Sequence, residues 1–212
     1  MARIVKKPEE RRRELIEAAL ELFQSQGYGN TTVEAVIRKT GIAKGTFYHY
    51  FQSKEDILAA VVDSMLSRVI ADARAVSDDL SLNALEKLQR LLGGENQVFR
   101  EAEGMAESLH HPENRELHEK TNVEIVLQLS PVLADVIEQG VREGFFQVEN
   151  VLETVQFLLA GSQFLFDLGL FRWSREEALL RAQAMATVIE RTLGAEKGTF
   201  QFLVNKYRTK EL

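Results

Sequence analysis

The chain has 212 residues, 45% hydrophobic and 27% charged, with a net charge of −6. That composition excludes a disordered or fibrous chain and suffices for one substantial core or two smaller ones. With no cysteine, disulfides, thiolate nucleophiles and zinc-thiolate sites are excluded, and the expected location is cytoplasmic.

The charge is unevenly spread. Residues 1–51 hold nine Lys/Arg and six Glu, a net +3, which leaves −9 for the remainder. A basic head on an acidic body is the distribution of a polyanion-binding module joined to a domain of another kind. The basic start, with no apolar run after it, predicts no secretory signal.

Apolar residues recur every three or four positions, so the chain reads as all-α. Leu15, Ile16, Ala18, Ala19, Leu22 and Phe23 stripe a first helix opened by Pro8 and stopped by Gly27. Thr31-Thr32-Val33-Glu34 reads as a capping box for a second helix ending at Gly41. A short turn leads to a third, Lys44 to Phe51, whose Phe47, Tyr50 and Phe51 fall on one side and suit packing inward. Two short helices joined by a Gly-containing turn have the arrangement of a helix-turn-helix, whose second helix enters the major groove. Ser53-Lys54-Glu55-Asp56 opens a long fourth helix, to about residue 76. The domains are therefore expected at 1–53 and 54–212, with helix 54–76 connecting them.

Further helices are predicted over 82–92, 95–109, 113–143, 150–170 and 174–193. A kink or a restart is expected at Ser130-Pro131, and Ser174 with Glu177 forms another capping box. The stretch Val151–Phe171 is apolar nearly all round, but Glu153, Gln156, Ser162, Gln163 and Asp167 break it, so no membrane span is expected. A helix without a polar face is covered on two sides, either in the centre of a monomer or against a partner. Glu107 and His110 have the Glu-x-x-His spacing of di-iron bundles, but those sites need two such motifs, and neither a metal nor another cofactor is expected. Nor is there a Gly-rich phosphate loop or a Gly-x-Ser-x-Gly elbow, so no enzyme is expected. The competing reading is an all-helical metal-binding bundle or enzyme whose helix-turn-helix does not bind DNA.

Thr31-Thr32-Val33-Glu34-Ala35-Val36, followed by Gly41-Ile42-Ala43-Lys44-Gly45-Thr46-Phe47-Tyr48-His49-Tyr50-Phe51-Gln52-Ser53-Lys54-Glu55, resembles the DNA-binding signature of TetR-family transcriptional regulators. With Ala19, Leu22, Phe23, Gly27 and Tyr28 the resemblance covers about residues 8–60. It implies a homodimer with two N-terminal helix-turn-helix heads on a double-stranded DNA operator, and a helical body that binds a small effector. Residue by residue, Lys44, Gly45 and Thr46 would face base edges and Tyr48 and His49 phosphates or bases. Lys54 and the Thr32 helix start would meet phosphates. Packing between helices is an equal reason for a small residue at Gly45.

On the same resemblance, Met65, Leu88, Leu92, Val98, Phe99, Met105, Leu109, Leu127, Phe145, Phe146 and Phe157 lie on segments that would surround the effector, with His110 as a polar candidate near it. Val155, Leu158, Phe164, Phe166, Leu168 and Ile189 fall on two helices that would form a four-helix interface between copies. The implied function is a ligand-responsive regulator, a repressor released when a hydrophobic or amphipathic effector binds.

Overall fold

The computed structural model describes residues 7–93, 109, 114–167 and 169–209, and all regular structure among them is helical. The chain divides into two compact units. The first takes in the described residues up to Ser67 with Leu109 and Asn114–His118; the second begins at Arg68 and resumes at Glu119.

In the first unit, α1 (Pro8–Gln26), α2 (Val33–Thr40), α3 (Lys44–Tyr50) and the start of α4 (Lys54–Asp78) enclose one core. Leu15, Ala19, Phe23, Val36, Phe47, Phe51, Ile57 and Val61 are buried in it. The start of α2 differs from the expected capping box by one residue. Thr32 is the N-cap, its hydroxyl accepting from Ala35 N at 3.1 Å. Thr31 turns inward instead and donates to Gly27 O at 2.8 Å. The turn between α2 and α3 needs Gly41, whose φ of 65° and ψ of 24° are left-handed.

The second unit holds the rest of α4, α5 (Ala84–Leu92), most of α6 (Arg115–Arg142), α7 (Val151–Leu165), α8 (Arg175–Leu193) and α9 (Gln201–Thr209). The expected restart at Pro131 does not occur, and α6 runs through it. Proline removes one backbone hydrogen bond, at about 3 kcal/mol. Here Leu129, Val132, Leu133, Val136 and Ile137 are all buried on the same helix, and their packing outweighs that loss. The apolar stretch expected to be helical to residue 170 stops at Leu165, where Asp167 takes over by accepting from Gly169 N and Leu170 N. Beyond Gly194 the chain is docked: Phe200 and Val204 are buried, and the Glu190 carboxylate accepts from Gly198 N at 2.8 Å and Phe200 N at 3.2 Å.

A polar relay around the buried Lys87 fastens α4, α5 and α6. Lys87 is only 2% exposed, and its ammonium donates to Ser77 O at 2.6 Å and Gln139 Oε1 at 2.7 Å. Gln139 Nε2 donates in turn to Leu82 O and to Glu143 Oε1, while Glu143 Oε2 accepts from Ala84 N at the start of α5. Burial raises the Glu143 carboxyl. The Ala84 and Gln139 hydrogen bonds, with Lys87 and Arg142, outweigh burial and hold it below its ordinary value. Breaking such a relay from one side strands a buried charge. Gln139→Ala is expected to cost about 3 kcal/mol in urea unfolding, and Lys87→Met less, because the charge leaves with the side chain. A Gln139→Ala variant as stable as Lys87→Met would mean that water already serves the ammonium.

Candidate functional site

Only seven residues long, α3 is too short to be stable alone, so its rotation is set by what it buries. Phe47 and Phe51 are fully buried and Tyr50 is packed against the same core. That leaves Lys44, Gly45, Tyr48 and His49 exposed along one stripe, with Thr46 half-buried at its margin. Tyr48 sits edge-on to Phe47 at 5.4 Å and His49 edge-on to Tyr50 at 5.0 Å, so both outward rings rest on inward ones.

The starts of α2 and α3 meet through charge. Lys44 Nζ lies 3.6 Å from Glu34 Oε1 and 5.9 Å from the Tyr48 ring. Glu34 is available for this because Thr32, rather than Thr31, caps α2. Thr32 is itself exposed. A Cβ built at Gly45 would meet nothing within 4 Å, so packing within the chain does not require glycine there.

Lys54 has a different setting. It is half-buried, donates to Tyr28 O at 3.1 Å and lies 4.1 Å over the Tyr28 ring. The Tyr28 hydroxyl donates to Glu55 Oε1 at 3.1 Å. Lys54 thus fastens α4 to the turn after α1, with donor capacity left for a phosphate. Arg12, not singled out from the sequence, lies 5.3 Å over the Phe51 ring. A hydrogen bond from its own backbone, then those from Ser53 and Tyr28, with the Lys54 charge, hold the Glu55 carboxyl below its ordinary 4.5. A depressed carboxyl stabilises the fold fully above about pH 4.5 and loses that contribution as pH falls through the lower value. Glu55→Gln is expected to lower Tm at pH 7 and to flatten the decline between about pH 5 and about pH 3. Melting curves across that range check it, and an unchanged acid slope would remove Glu55 from the contact.

In the second unit an apolar pocket of about 250 Å³ opens among α5, α6, α7, α8 and the α9 segment. Leu88, Leu92, Leu133 and Ile137 form one wall and Phe200 and Leu203 another. The residues assigned from the sequence fall differently around this pocket. Met65 is buried in the core of the first unit, while Leu127, Phe145 and Phe157 are exposed, and none of the four lines the pocket. Val155, Leu158, Phe166 and Ile189, expected at an interface between copies, line it instead. The reason is helical phase, since both faces of α7 are apolar and apolarity alone does not say which turns inward. Val98, Phe99, Met105, His110 and Leu168 lie outside the described residues, as does Glu107 of the Glu-x-x-His motif. Among the described residues no three His, Cys, Asp or Glu side chains are grouped to hold a metal ion.

The outer faces of α7 and α8 are apolar and open to solvent. Phe157 is 82% exposed, Phe164 58%, Leu180 63% and Val188 49%. Exposed Ala160, Gly161 and Ala184 lie among them. Beside this face Phe164 meets Phe171 edge-on at 5.4 Å, Phe171 stacks on Trp173 at 5.0 Å, and Arg181 covers Trp173 at 3.3 Å. No helix among the described residues is long and apolar enough to cross a membrane.

Residues 15–61 match the model of bacterial regulatory proteins of the tetR family, and residues 98–188 match the tetracyclin repressor-like C-terminal domain. The HTH-type transcriptional repressor KstR2 of Mycobacterium tuberculosis (strain ATCC 25618 / H37Rv) is 26% identical over 187 residues, 86% of this chain and 90% of its own. Two solved structures share the fold. RolR in complex with resorcinol has a TM-score of 0.61 at 19% identity over 93% of this chain and 94% of its own. A transcriptional regulator from Cytophaga hutchinsonii ATCC 33406 has a TM-score of 0.58 at 17% identity over 92% of each chain. The helix-turn-helix unit, the second helical unit and the two family matches along one chain make this protein a member of the TetR family of bacterial regulatory proteins.

Proposed function

We propose that this protein is a transcriptional repressor that binds a palindromic double-stranded operator as a homodimer and is released by a small hydrophobic or amphipathic effector. The observation that carries the DNA-binding part is the surface of α3, where Lys44, Gly45, Tyr48 and His49 face outward around a glycine that nothing in the chain crowds. A backbone bared in this way suits close approach to a duplex, with Lys44 as the reader of a guanine edge. Thr32 and Lys54 are assigned to phosphates and Thr46 to the edge of the base contacts.

The same glycine separates a DNA role from a packing role. Gly45→Ala is expected to keep or slightly raise Tm, since alanine favours a helix by about 1 kcal/mol. Operator affinity, read by fluorescence anisotropy on the chain's own upstream DNA, is expected to fall at least about tenfold. Lys44→Ala is expected to weaken specific binding and to relax the preference for guanine at the position it reads. Unchanged affinity in both variants would move the recognition surface off α3.

The homodimer reading rests on the outer faces of α7 and α8, where large apolar side chains stand beside residues small enough for close helix approach. Joined there, two heads would address half-sites about 34–36 Å apart. Because Phe157 is almost wholly exposed, Phe157→Glu leaves the fold of one chain intact. It is expected to give monomers in sedimentation and to lose most operator affinity. A dimer that survives the substitution would place the interface elsewhere.

A further inference from the structure

The pocket of the second unit has a chemistry specific enough to name what fits it, given the reading that an effector binds in the body. Its volume is about 250 Å³. An apolar cavity of about 150 Å³ takes one benzene ring, so this one takes about ten carbon atoms. Among the described residues its wall is built of apolar side chains, the Met185 thioether among them, apart from one hydroxyl, Ser162.

That hydroxyl is already committed as a donor, since Ser162 Oγ donates to Leu159 O at 2.8 Å. What it presents to the pocket is therefore lone pairs, which a ligand hydroxyl or N–H satisfies and a carboxylate does not. The walls add to this discrimination. Among the described residues that line the pocket none is charged, so an anion or a cation would lose its water there without gaining an opposite charge.

We infer that the pocket takes a compact, uncharged, mainly apolar molecule of about ten heavy atoms that donates one hydrogen bond, from a hydroxyl or N–H, to Ser162 Oγ. Because Phe200 and Leu203 form part of the wall, such a molecule also packs against the docked C-terminal segment and holds it in place.

The test is calorimetry on the full chain with four probes on one bicyclic ring, of about ten to thirteen heavy atoms: naphthol, naphthalene, naphthoate and naphthylmethylammonium. Naphthol is expected to bind saturably, and naphthoate and the ammonium at least about a hundredfold more weakly. Ser162→Ala is expected to weaken naphthol about tenfold and to leave naphthalene unchanged. Hydrogen exchange is expected to slow at Phe200–Val204 with naphthol present. Naphthoate or the ammonium binding as well as naphthol, Ser162→Ala without effect on naphthol, or protection confined to other segments would each overturn the assignment. Operator binding is read separately by anisotropy. Naphthol that occupies the pocket without changing operator affinity refutes the effector role and leaves the site standing. Absence of saturable naphthol binding, with the operator still bound, refutes the site alone.

Discussion

The burial of Phe47 and Phe51 is the constraint from which the proposed DNA-facing surface follows. A seven-residue helix has no independent stability, so α3 exists because these two rings complete the core made by Leu15, Ala19, Phe23, Val36 and Ile57. Each contributes several kcal/mol, of the order of the 3–5 kcal/mol lost on truncating a buried phenylalanine. With two points on the helix fixed four residues apart, its rotation is fixed as well, and the stripe of Lys44, Gly45, Tyr48 and His49 can only face outward. The outward side chains contribute little to stability and are free to vary with the sequence being read. Even the Lys44–Glu34 pair, exposed on both sides, adds at most about 1 kcal/mol and acts mainly to bias where the lysine sits.

The second unit is held by a different balance. Its core is apolar, yet three charged side chains are buried in this unit: Lys87, Glu190 and Asp167. Each spends its hydrogen bonds chiefly on backbone groups at helix ends or turns. Lys87 serves the end of α4, Glu190 the turn before α9 and Asp167 the turn after α7. These are the places where helices leave carbonyls and N–H groups without intrahelical partners. Charge is tolerated inside because it replaces water at those ends. The second unit can therefore enclose a pocket without filling it by collapse.

How far the sequence was legible follows from the same distinction. The head could be read almost to the residue, because turn glycine, cap and inward aromatics are local signals within about forty positions. Where reading failed there, at Thr31, two adjacent threonines offered the same hydroxyl, and only packing against Gly27 and Gln26 decided between them. At Pro131 a strong local stop was overruled by buried neighbours on both sides, a choice made by tertiary packing. The pocket was least legible. Leu88, Leu133, Ser162 and Phe200 are up to 112 positions apart, and no local pattern brings them together. Apolarity around the whole of α7 concealed its phase, so the sequence could not say that Val155 turns inward and Phe157 outward.

That two-sidedness is where the proposed activities meet. Val155, Leu158 and Ile189 line the pocket from the inner faces of α7 and α8, while Phe157, Phe164 and Val188 stand on their outer faces. A helix is a rigid cylinder about 10 Å across, so a rotation or shift that accommodates a ligand on one face carries the other with it. If copies associate through the outer faces, a ligand that prefers one setting of α7 prefers one geometry of the pair. Linkage then requires the association to alter ligand affinity by the same factor. A monomeric variant would accordingly bind the ligand with altered affinity, though no pocket residue had been changed. Coupling of that kind needs no chain of intermediates between ligand and partner, because one pair of helices forms both surfaces.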